Sequence, residues 1–305
     1  MKFAASFAVC LIACGPSSRD PGGGGDDMPP GPDAGDTTTT PRQCNKMDLV
    51  FVIDDSGSMS EEQSNLATNF PMFATLLSNY TTPDGQKIDY RIAVTTTGKD
   101  LMYTVSSGPL TLPQNEAGDN GAFRNNCNMT KRFLEPTDAN MQQVLSCRAN
   151  VGTGGPSYEM PLLMTKWALG DRVTDGTNAG FLRNDALLGV VMLTDEDDAS
   201  TMQNNFNVTV TSQPPVDYQP ADLITFLDTL KGHRTRWAAG VIAGPTDCSS
   251  SFGNAAKATR LQDFVMQANS TSTQASFSSI CDGNLTGALQ KTLDTFQAAC
   301  GVVIF

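Results

Sequence analysis

The chain has 305 residues, with 20 Lys and Arg against 32 Asp and Glu, a formal net charge of −12 at pH 7 and a pI near 4.4. That balance argues against nucleic acid as a partner and against docking on anionic lipid, because both repel an acidic surface. One histidine and eight cysteines, none in a Cys-x-x-Cys pair, make a zinc site improbable.

The chain opens with MKFAASFAVCLIACG, one lysine followed by about eleven mostly apolar residues, too few to span a bilayer. This reads as a secretory signal over residues 1–13. Leu11-Ile12-Ala13-Cys14 resembles the bacterial lipobox, which implies cleavage before Cys14 and lipidation of that residue. A cut of the Ala-x-Ala type is the alternative. Gly15, where an Asp would imply retention at the inner membrane, points to an outer-membrane or cell-surface lipoprotein. Residues 14–43 are dominated by Gly, Pro, Asp and Thr and cannot build a core, so they read as a tether. Residues 44–305 are expected to form one domain.

Met47 and Leu49–Ile53 form an apolar, partly β-branched run that ends at Asp54-Asp55-Ser56-Gly57-Ser58. Such a run reads as a central strand of a parallel sheet. A helix is expected over 60–78, with Leu66, Phe70, Phe73, Leu76 and Leu77 on one face and a kink at Pro71. Ile88–Thr96 reads as a strand, and 101–112 as a hairpin around Ser106-Ser107-Gly108. Residues 113–150 read as an irregular insertion with a short helix at Met141–Leu145. A turn at Gly152–Gly155 precedes a helix over Glu159–Leu169. Ala186–Thr194 is a second buried strand, and 199–219 a loop. Pro220 suits a helix start. Beyond it come a strand at Arg236–Ala243 and helices over 255–268 and 284–299. Strands alternating with helices imply an α/β fold, a doubly wound and mostly parallel sheet with helices on both faces, in the order 3-2-1-4-5-6.

Asp54, Ser56 and Ser58 place a carboxylate and two hydroxyls at alternate positions just past a strand's carboxyl end. Hard oxygens of this kind suit Mg²⁺, with Mn²⁺ or Ca²⁺ as alternatives. The same residue types are also ordinary turn and N-cap formers. The second buried strand runs into Thr194-Asp195, so two carboxylates are expected at neighbouring strand ends, where a cation would relieve their repulsion. The spacing Asp-x-Ser-x-Ser and the later Thr-Asp pair resemble the metal-ion-dependent adhesion site of von Willebrand factor type A domains. That resemblance spans 44–300 and implies a third ligand from the loop Gly152–Glu159. Ser157 is the first choice, with Thr153 and Glu159 as alternatives. It also implies a function: a protein partner donates an Asp or Glu carboxylate to the bound metal, in adhesion or complex assembly.

Two further readings compete. A metal-assisted hydrolase would need a general base, and His233 sits in Lys231-Gly232-His233-Arg234 at an expected helix exit, where it reads as a solvated residue. No Gly-x-Ser-x-Gly or P-loop sequence is present. No enzyme activity is therefore expected. A structural surface protein with an unused site is the other possibility. With Cys10 lost in the signal and Cys14 lipidated, six cysteines remain, and an exported chain would pair them. Cys44–Cys300 would clip the start of the first strand to the last helix. Cys127–Cys147 and Cys248–Cys281 would close local insertions.

Overall fold

The computed structural model describes residues 44–82, 85–251, 253–283, 285–303 and 305. The signal segment, Cys14 and the tether up to residue 43 lie outside the described residues. Strand β1 (Lys46–Ile53) leads through a short 3₁₀ turn into helix α1 (Ser60–Asn79). Then follow β2 (Asp89–Thr96), the hairpin β3 (Leu101–Ser107) and β4 (Leu110–Glu116), and α2 (Met141–Ala149). Helix α3 (Pro161–Lys166) continues through a π-turn into α4 (Arg172–Thr174), ahead of β5 (Leu187–Leu193) and β6 (Asn205–Thr209). The chain goes on with α5 (Pro220–Lys231), β7 (Trp237–Ala243), the small hairpin β8 (Cys248–Ser250) and β9 (Gly253–Ala255), and α6 (Thr259–Ala268). It closes with β10 (Ala275–Ser279) and α7 (Leu285–Val302).

The central sheet has the order β10-β7-β5-β1-β2, and every neighbouring pair in it is parallel. This corrects the expected order 3-2-1-4-5-6, because the strand after β2 leaves the sheet. The cause lies at the edge of β2. There Ile92 exchanges both backbone hydrogen bonds with Leu134 of the 113–150 insertion, at 2.9 and 2.7 Å. With that position taken, β3 pairs instead with β4, antiparallel, and with β6, parallel, in a separate three-stranded sheet. The chain read as a loop over 199–219 thus contributes a strand.

Side chains alternate across β1, which explains the two cores. Leu49, Phe51 and Ile53 face α1, α2 and α7, where Phe51 packs on Phe70 and Phe73 with ring centroids 5.0 and 5.2 Å apart. Val50 and Val52 face the opposite layer, with Leu162 and Leu163 of α3, Leu223 and Leu227 of α5 and Phe264 of α6. The fully buried Asp48 pairs with the partly buried Arg183 at 2.8 Å, which fixes the amino end of β1 to the segment before β5. Lys99 is also fully buried. Its Nζ donates to the carbonyls of Thr201 and Gln203 at 2.9 and 2.8 Å and lies 5.4 Å from the Trp167 ring, tying the start of the outer sheet to the main body.

Three disulfides join Cys44 to Cys300, Cys127 to Cys147 and Cys248 to Cys281, the pairs expected from the sequence. Cys44 precedes β1, so the first bond lies at the amino-end rim of the sheet, away from Asp54.

Candidate functional site

β1 ends because its last backbone pairing is made by Asp54, whose N–H donates to the Leu193 carbonyl at 2.9 Å. The chain then turns. Ser56 N–H donates to Asp54 Oδ1 at 2.8 Å, an Asx-type turn, and Thr194 Oγ1 donates to Oδ2 at 2.7 Å. Gln63, in the first turns of α1, donates its side-chain amide to the Asp54 carbonyl at 2.9 Å. The Asp54 carboxylate is thereby fixed in position and completely buried.

β1 and β5 are neighbours in register, with Ile53 opposite Leu193, so Asp54 and Thr194-Asp195 emerge side by side. This is the switch point of the sheet: the chain from β1 crosses to β2 on one side, and β5 lies on the other. The hydroxyls bridge the two strand ends. Ser56 Oγ and Ser58 Oγ are 2.9 Å apart, and Ser58 Oγ donates to Asp195 Oδ1 at 3.2 Å. Asp54, Ser56, Ser58 and Asp195 therefore form one connected set.

The 152–159 loop closes over this turn. Gly155 N–H donates to the Asp55 carbonyl at 2.7 Å, and a side chain at Gly155 would place its Cβ 2.3 Å from the Asp55 carboxyl. Ser157 is drawn elsewhere: its N–H and hydroxyl both donate to the Glu116 carboxylate of β4, at 3.0 and 2.8 Å. Thr153 is exposed. Glu159 is the loop residue turned inward. It is 2% exposed, its Oε1 has no hydrogen bond among the described residues, and the Asp54 carboxylate repels it. Ala199 N–H, just past the acidic run, donates to its carbonyl at 2.7 Å.

The electrostatics follow from burial of like charges. Desolvation raises Asp54, against the hydrogen bonds from Thr194 and Ser56. Desolvation, then repulsion from Asp54 and Glu196, raises Glu159 well above the ordinary range. Asp195 is pushed up to about 8 by burial and then by Asp54, with Glu62 and Glu196 adding to it. Among the described residues, no ion pair involves Asp54, Glu62, Glu159 or Asp195. Glu62 was not foreseen. It lies in the first turn of α1, where an acid is the ordinary choice, and only the fold brings it beside Asp195 and the β8–β9 hairpin.

The acidic run after β5 divides its labour. Asp197 accepts from the N–H groups of Arg260 and Leu261 at the start of α6. Asp198 is buried, accepts from Leu162 N–H of α3 and pairs with Arg260 at 3.2 Å. Glu196 is exposed. Only Asp195 belongs to the hydroxyl-linked set.

His233 is exposed and accepts from Thr235 N–H immediately before β7, at the amino-end rim, so it does not join this group. No group of three or more His, Cys, Asp or Glu side chains at metal-holding spacing occurs among the described residues. The Asp54 set is of another kind, with neutral hydroxyls taking part of the place of acids.

No protein-family model matches the chain, and no curated protein matches it. Solved structures do. Proximal thread matrix protein 1 from the mussel byssus, in a form with a zinc-occupied MIDAS motif, matches at 14% identity and a TM-score of 0.39, over 85% of this chain and 46% of that one. Manganese-loaded TRAP protein of Plasmodium vivax matches at 11% identity and a TM-score of 0.39, over 83% and 75%. The pilus adhesin SpaC of Lactobacillus rhamnosus GG matches at 11% identity and a TM-score of 0.42, over 84% and 31%. The chain thus spans about half the length of the mussel protein.

Proposed function

We propose that this is a divalent-cation-dependent binding module of the von Willebrand factor type A kind, which takes a carboxylate from a protein partner. The observation that carries the reading is the meeting of Asp54, Ser56, Ser58 and Asp195 at one switch point, with buried acids and no basic partner among the described residues. Two buried carboxylates in such a place repel unless positive charge lies between them. Hydroxyl and carboxylate oxygens are the donor set of Mg²⁺, and of Mn²⁺ or Ca²⁺. The residues therefore fit a hard cation.

Asp54, Ser56, Ser58 and Asp195 would hold it. From the loop we assign Glu159, buried with an unpartnered oxygen, in preference to Ser157, which Glu116 engages. A bound cation supplies a Lewis-acidic charge that attracts a partner's Asp or Glu. The chain's own residues do the rest: Thr194 and the Ser56 N–H orient Asp54, and Gly155 lets the loop approach. His233, the one histidine, lies at the opposite rim of the sheet, which favours binding over a histidine-assisted hydrolysis.

We further propose display at the cell envelope, through Cys14, on an exported chain. Three disulfides are consistent with an oxidising compartment. Among the described residues no helix is long and apolar enough to cross a membrane. The test is capture from native envelope extract by the purified protein, with Mg²⁺ or with chelator. A partner held only with Mg²⁺, and lost with Asp54→Ala, supports the reading; capture indifferent to both sinks it.

A further inference from the structure

The outer sheet does more than extend the fold. Between it and the carboxyl end of β5 lies a cleft of about 630 Å³. Its lining includes Glu159 and Glu196, next to the candidate cation site. It also includes Tyr158, Val105 of β3, and Val210 and Val216 among polar residues of the segment after β6. Val210 is 67% exposed, and Tyr158 packs on Tyr103 and Phe206 of the outer sheet with ring centroids 5.1 and 5.9 Å apart. The wall of the cleft therefore brings apolar and acidic side chains together.

The acids of that wall differ in how well they are matched. Asp197 is satisfied by backbone N–H groups of α6, and Asp198 by Arg260. Arg260 also lines the cleft, but its guanidinium is committed to Asp198, Gln219 and the Tyr218 carbonyl. Glu196 has no ion pair among the described residues, and Glu159 is 2% exposed with Oε1 unpartnered. Beside aliphatic and aromatic surface the cleft therefore holds an exposed Glu196 with no basic partner among the described residues, and a buried Glu159 that hydrogen-bonds to it and is held well above the ordinary carboxylate range.

We propose that the cleft receives a lysine or arginine side chain of the protein partner, its cationic head on Glu196 and its methylene stem along Val105 and Val210. Such side chains bury their stems on apolar surface while the head finds an acid or an aromatic face, and Glu196 and Tyr158 supply both. The proposal rests on the cation-site reading, because Glu159 belongs to both places. It then describes the partner more closely: an acidic residue for the cation, and a basic residue within a few positions of it or beside it on the partner's surface.

The experiment is selection of a random dodecapeptide display library on the full-length protein, in Mg²⁺ and in chelator, followed by affinity measurement of the recovered peptides. Mg²⁺-dependent peptides pairing Asp or Glu with Lys or Arg are expected. Glu196→Gln should weaken them by about tenfold or more, as loss of a charge-assisted contact requires, with one Mn²⁺ still bound per chain. Replacing the peptide's basic residue by norleucine should cost about the same, and the two losses should not add. Mg²⁺-dependent peptides with acidic but no basic residues would overturn this inference and leave the cation-site reading intact. Basic peptides bound equally in chelator and lost in Glu196→Gln would support the cleft and count against that reading. Recovery of no peptide in either condition would count against both.

Discussion

Removing the Cys44–Cys300 bond should destabilise the domain strongly without touching the site. The bond joins positions 256 apart, Cα to Cα 5.2 Å, and so closes nearly the whole described chain into one loop. The chain-entropy relation gives about 18–19 cal/mol/K for a loop of that length, or about 5.5 kcal/mol at 25 °C, and measured losses for native disulfides run at about 2–5 kcal/mol. We therefore expect Cys44→Ser with Cys300→Ser, which leaves no unpaired thiol at that place, to cost about 3–5 kcal/mol. At roughly 2–4 °C per kcal/mol for a domain of this size, the melting temperature should fall by about 6–20 °C. Calorimetry or fluorescence-monitored melting measures it, with Mg²⁺ and with chelator. Because the bond sits at the amino-end rim and Asp54 and Asp195 at the carboxyl ends of β1 and β5, the rise in melting temperature caused by Mg²⁺ should be the same in the variant. A fall of less than about 2 °C would refute the loop-closure reasoning. Loss of the Mg²⁺ increment would refute the spatial separation.

Metal-free stability should depend on pH in a defined direction. Asp195 has its carboxyl pushed up to about 8, so the folded metal-free chain keeps a proton that the unfolded chain releases near 3.8. No penalty exists below about pH 4; stability is lost as pH rises towards 8. Melting in chelator should drop by about 5 °C or more between pH 5 and 8; saturating Mg²⁺ should flatten the curve and Asp195→Asn make it shallower, since Asp54 and Glu159 are raised too; a chelator curve that rises would contradict the assignment. Gly189→Ala places a Cβ 2.5 Å from Leu49 Cδ2 and 2.8 Å from Phe296 Cε2, so it should cost about 1–3 kcal/mol in denaturant melts with Mn²⁺ affinity unchanged.

The central strands were legible because β1 and β5 are buried on both faces, which demands unbroken apolar runs, and because polar turns end them abruptly. The hairpin of β3 and β4 was legible from Gly108, which adopts a φ of +57°. What the sequence concealed is non-local. β6, Asn205–Thr209, alternates Phe206 and Val208 with polar residues over only five positions, and its partner β3 lies about a hundred residues earlier. β10, Ala275–Ser279, is a serine-rich edge strand with little apolar signal. The helix expected from 255 begins at Thr259, because Gly253–Ala255 pairs with Cys248–Ser250. The helix expected over Glu159–Leu169 begins at Pro161 and widens into a π-turn at Trp167.

Of the site, Asp54, Ser56, Ser58 and Asp195 follow from strand ends and spacing. The burial of Glu159 in the 152–159 loop does not. The resemblance points first to Ser157, and in the structure Ser157 donates to Glu116 on a hairpin whose position no local pattern encodes. The exposed Glu196 and the buried Glu62 are likewise defined by neighbours distant in sequence.

Direct Mn²⁺ binding, followed by electron paramagnetic resonance of the free ion, tests the central claim most closely. Wild type and Ser157→Ala should each bind one Mn²⁺ per chain with similar affinity, while Asp195→Asn and Glu159→Gln should bind at least about tenfold more weakly, and Asp54→Ala more weakly still. Absence of stoichiometric binding by the wild type, or equal binding by Asp54→Ala, would contradict the account.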